Sequence, residues 1–74
     1  MQYLSYGEEV GRRILITIRE NGYTENMYAK VNKVSRSNVY EWCRGEHLPS
    51  AYRITQFCRF FNVSADWQEY VFPV

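Results

Sequence analysis

The stretch from Thr24 to Gly45 leaves room for little besides two short helices joined by a tight turn. Thr24 and Ser35 each offer a hydroxyl that accepts a backbone N–H at the start of a helix, and Gly45 supplies the left-handed conformation that commonly ends one. The first of the two, from about Glu25 to Val31, is too short to persist alone and must draw its stability from neighbours. Met27, Tyr28 and Val31 are its expected inward contacts, with Ala29 small enough to admit a neighbouring backbone. In the second, residues about 100° apart place Val39, Trp42 and Cys43 on one arc and Arg36, Ser37, Tyr40, Glu41 and Arg44 on the opposite one. The first arc is core; the second is offered to solvent.

The flanks extend the same helical pattern. Val10, Ile14 and Ile18 recur at four-residue spacing with Leu15 beside them, so a helix is expected from about Gly7 to Glu20, stopped by Asn21-Gly22. Pro49-Ser50 opens another in which Ile54, Phe57, Cys58 and Phe61 repeat at intervals of three and four, and Ser64 caps a fifth around Asp66 to Tyr70. No strand alternation or internal repeat interrupts them. The expectation is one all-α domain over residues 1–74, a compact five-helix bundle.

Apolar residues make up 46% and charged residues 23%, a balance that belongs to folded domains and not to disordered tails. No segment is long or apolar enough to span a bilayer, and the start Met1-Gln2-Tyr3-Leu4-Ser5 lacks the regions of a signal peptide, so a cytoplasmic setting without membrane contact is expected. There Cys43 and Cys58 are expected as reduced, buried thiols. One His and two Cys at separate helical positions compose neither a nucleophile with its base nor a zinc site, and no glycine-rich phosphate loop is present. The expectation is therefore no enzyme, no metal or other cofactor, and no small-molecule ligand.

Two short helices of this kind, joined by a turn near residue 33, have the layout of a helix-turn-helix that reads duplex DNA, here spanning about residues 24–45. Three further segments carry a resemblance. Val34-Ser35-Arg36-Ser37-Asn38-Val39-Tyr40-Glu41-Trp42 is similar to a recognition helix of the form V-S-x-x-x-I-x-x-W, Arg44-Gly45-Glu46-His47-Leu48-Pro49-Ser50 to an R-G-x-x-x-P-S link, and Phe60-Phe61-Asn62-Val63-Ser64-Ala65-Asp66-Trp67 to an F-x-V-S-x-D-W ending. Their order and spacing resemble the Cro and lambda-repressor-type regulators, the XRE family, over about Tyr6 to Trp67. The resemblance implies a bacterial or phage transcriptional regulator, a repressor of lambda-repressor-like fold that binds an operator as a homodimer.

Arg36, Ser37, Tyr40 and Glu41 are then the expected base readers, and Lys33, Arg44 and His47 the backbone contacts. The family often has Gln where this chain has Glu25, a residue expected to contact phosphate; a carboxylate there is repulsive, unless it complements its own helix end or pairs with Arg36. Asn32-Lys33 replaces the usual Leu-Gly turn, with Asn32 expected in the left-handed conformation and Lys33 facing the backbone. Tyr70, Val71, Phe72 and Val74 form an apolar tail, expected either as the dimer surface or folded over the monomer core. A net charge of only +1, Glu25 and an aromatic content of 18% favour the alternative, a protein-interaction module on the same fold that does not read DNA, such as an antitoxin, antirepressor or accessory factor.

Overall fold

A computed structural model describes residues 5–64. They form four helices: α1 (Tyr6–Glu20), α2 (Glu25–Asn32), α3 (Arg36–Arg44) and α4 (Ala51–Phe61). The fifth helix expected around Asp66 to Tyr70, and the expected dimer residues Tyr70, Val71, Phe72 and Val74, lie outside the described residues, which form an all-helical bundle of four and do not support the count of five.

Each helix starts on a hydroxyl. Ser5 Oγ accepts from the amide of Glu8 at 3.2 Å while Glu8 Oε1 accepts from the Ser5 amide at 3.0 Å, a reciprocal capping box. The Ser5 amide that donates to the Glu8 carboxylate, helped by the Ser5 hydroxyl beside it, holds its pKa below the ordinary value. Thr24, Ser35 and Ser50 cap α2, α3 and α4, accepting from the amides of Met27, Asn38 and Arg53 at 3.1, 3.5 and 3.2 Å. Gly45, with φ 77°, ends α3 in the left-handed conformation.

The turn between α2 and α3 departs from expectation by one residue. Lys33, not Asn32, is left-handed, at φ 55°. Asn32 stays helical because its side-chain amide donates to the Tyr28 carbonyl at 3.2 Å and its own carbonyl accepts from Gln56 Nε2 of α4 at 3.2 Å. The reversal therefore falls on the next residue.

The core joins Val10, Ile14 and Ile18 of α1 to Tyr28 and Ala29 of α2, Val34 of the turn, Val39 and Trp42 of α3, and Ile54, Phe57 and Cys58 of α4. Met27 and Val31 are not part of it and stand exposed. An eight-residue helix has space for one narrow inward stripe, taken by Glu25, Tyr28 and Ala29, and Met27 and Val31 fall on its outer flank. Tyr28 stacks on Phe61 at 5.6 Å and meets Phe57 edge-on at 5.3 Å, so an aromatic cluster locks α2 to α4. The backbones of α1 and α3 approach closely where Gly11 lies over the Trp42 and Cys43 carbonyls.

Candidate nucleic-acid interface

The outward arc of α3 is built by burial of the opposite one. Val39 is fully buried and Trp42 nearly so, which fixes the rotation of the helix and leaves Arg36 and Ser37 exposed. Among the described residues, neither side chain has an internal hydrogen bond or ion pair. The first turn of α3 contains no acid, so the positive end of the helix and the Arg36 guanidinium act in the same direction.

One turn on, Tyr40 and Glu41 are half-buried. The Tyr40 hydroxyl donates to Asn26 Oδ1 at 3.4 Å, which ties the outward arc of α3 to the first turn of α2. Lys33, fixed by its left-handed turn, and His47, in the loop after α3, are both exposed. Arg44 is exposed at the end of α3, where its Nε donates to Glu46 Oε1 at 3.0 Å. Of the expected residues, Arg36 and Ser37 thus stand exposed at one end of α3 and Arg44 at the other, with Tyr40 and Glu41 half-buried between them.

Glu25 differs most from expectation. It does not pair with Arg36. Its carboxylate is buried at the start of α2 and accepts from Arg19 Nε and a terminal guanidinium nitrogen at 3.2 and 3.0 Å. The capped entry into α2 turns Glu25 inward toward the end of α1, whereas Arg36 points outward from α3. Arg19 and Asn26, the partners of Glu25 and Tyr40, are residues that sequence reasoning did not single out. The Arg44–Glu46 pair was visible in principle as neighbouring opposite charges; Arg19 and Asn26 gained their partners only through the fold.

Neither cysteine forms a disulfide. Burial, reinforced by the negative charge of Glu25 and opposed by Arg19, pushes the Cys43 thiol up to about 11, so it is a protonated packing group at neutral pH and not a nucleophile. No cluster of His, Cys, Asp or Glu among the described residues could hold a metal ion, and no described helix is long and apolar enough to cross a membrane.

No curated protein matches the chain. A helix-turn-helix family model matches residues 9–68, a span that contains the core of α1, the whole two-helix unit and α4. That match, over most of the chain, agrees with a capped α2, a tight turn and an α3 that buries one arc and presents the other: the chain belongs to the XRE family of lambda-repressor-like, DNA-binding helix-turn-helix regulators.

Proposed function

We propose that this protein reads a specific operator in duplex DNA and represses transcription as a two-fold dimer. The observation that carries the reading is the first turn of α3, which holds no acidic residue and where Arg36 and Ser37 are exposed and unpaired among the described residues. Side chains at that end of a recognition helix meet base edges in the major groove. Arg36 bonds guanine O6 and N7 together, Glu41 accepts from a cytosine amino group, and Tyr40 packs on a thymine methyl or bonds a phosphate. Ser37 adds little discrimination. Lys33, Arg44 and His47 hold the backbone, setting register without reading sequence. One such helix reads few base pairs, so useful affinity comes from two copies on half-sites one helical turn apart, with the tail from Tyr70 to Val74 as the dimer surface. Occupying the operator excludes polymerase.

A protein-binding role on the same fold is favoured by one observation: Met27 and Val31, a turn apart on α2, are 47% and 57% exposed. Selection of bound duplexes from a random library, at low and physiological salt, separates the readings. An enriched inverted repeat is the expected result. Binding without a motif would point to a nonspecific architectural protein, and no binding at either salt to the protein-interaction module.

A further inference from the structure

We infer that Arg19, which lies outside the two-helix unit, is a contact to the phosphodiester backbone of DNA and is held in place for that purpose by Glu25. The inference rests on the DNA-binding reading above. Glu25 is the single buried charged side chain among the described residues, and it occupies the first position of α2. Left unpaired, a carboxylate there would repel any phosphate passing the start of that helix. It is not unpaired. Arg19, from the last turn of α1, places Nε and one terminal nitrogen on the same carboxylate oxygen, at 3.2 and 3.0 Å.

Two consequences follow from that geometry. The carboxylate is neutralised, and the guanidinium is held by two bonds while its side chain remains 61% exposed, with its other N–H groups directed to no internal partner among the described residues. An arginine already oriented in this way loses less conformational freedom on gripping a phosphate than a free one does. Its position suits the task. The residue after Glu25, Asn26, accepts the hydrogen bond from Tyr40 on the outward arc of α3, so the first turn of α2 flanks the reading face. In helix-turn-helix docking the helix before the recognition helix crosses the DNA backbone. A duplex seated on Arg36 and Tyr40 therefore carries a phosphate past the start of α2, where Arg19 waits.

The test measures operator affinity against salt for the wild-type protein, Arg19→Lys, and the double variant Arg19→Gln/Glu25→Gln, which keeps a hydrogen-bonding pair but removes both charges. A phosphate contact predicts that the double variant selects the same motif but loses about 0.9 from the slope of log affinity on log salt, so that raising salt fourfold weakens it about 3.5-fold less than wild type. Arg19→Lys keeps the wild-type slope, because a charge suffices. A folded double variant with the wild-type slope would overturn the role of Arg19 and leave the DNA reading intact; wild-type protein that selects no duplex would overturn both. Should that variant fail to fold, Arg19→Gln/Glu25→Ala, which leaves no polar side chain buried at position 25 and still removes both charges, reads the same slope.

Discussion

Gly11 of α1 lies against the carbonyl oxygen of Trp42 so closely that no other residue fits between them. A Cβ on Gly11 would come within 2.8 Å of the Cys43 carbonyl oxygen and nearer still to that of Trp42. The approach lets α1 press on the end of α3 while Trp42 fills the core beneath. Since Trp42 fixes the rotation of α3, this contact determines which side chains face outward.

Gly11→Ala therefore separates two opposing effects. Inside a helix, alanine normally stabilises over glycine by about 1 kcal/mol. Here the methyl group meets two backbone carbonyls that cannot turn aside, so the expected result is a net loss of about 1–3 kcal/mol, read from urea unfolding. A gain in stability would mean that α1 stands further from α3 than described.

Tyr28→Phe should do the reverse. The Tyr28 ring is fully buried among Phe57, Phe60 and Phe61, and its hydroxyl has no hydrogen-bond partner among the described residues. An unsatisfied buried hydroxyl costs about 1–3 kcal/mol, and phenylalanine keeps the ring contacts while removing it. The variant should unfold at higher urea; unfolding at lower urea would reveal a partner for the hydroxyl.

Most of the fold was legible because its boundaries are local. Thr24, Ser35 and Ser50 carry capping hydroxyls and Gly45 the left-handed end, each acting within a few residues of its own position. What was not legible depended on contacts between elements. Met27 and Val31 are apolar enough for a core, and only the burial of Tyr28 against α4 shows that they lie on the wrong flank. Lys33 becomes left-handed because Gln56, far along the chain, holds the Asn32 carbonyl. At the interface the outward arc of α3 followed from helical geometry, but the Arg19–Glu25 pair spans a helix end and a turn, and no periodicity announces it.

Alkaline conditions should weaken the fold. Burial raises Cys43 from 9.0 to about 11 and Tyr28 from 10.0 to about 12. Between those values the folded chain keeps protons that the unfolded chain has released, so the unfolded state binds fewer and stability falls as pH rises. The contribution is complete below the unfolded values and lost progressively through the folded ones. Urea midpoints taken from about pH 8 to about pH 11 should decline, and Cys43→Ala should flatten the first part of that decline. A midpoint unchanged over this range would place both groups in water.

Glu46 should restrain DNA binding. Its carboxylate holds the Arg44 guanidinium at 3.0 Å, but both side chains are more than half exposed, so the pair contributes at most about 1 kcal/mol to stability. Glu46→Gln should leave the fold untouched and tighten binding to all sequences alike, by freeing Arg44 and removing a charge that repels phosphate. Arg44→Ala should weaken binding uniformly and flatten the salt slope by about one unit. If the two variants show the wild-type slope, Arg44 belongs to the surface and not to the interface.

Arg36→Ala gives the sharpest test of base reading. Arg36 is exposed, at the first position of α3, and no described residue bonds its guanidinium, so its removal should not disturb the core. A bidentate contact to guanine provides about 1–3 kcal/mol of discrimination at one base pair. The variant should therefore bind the selected operator more weakly while losing preference at a single position in each half-site, with the other positions unchanged. Uniform weakening across all sequences, with the motif intact, would instead make Arg36 a phosphate contact and leave Glu41 and Tyr40 as the base readers of α3.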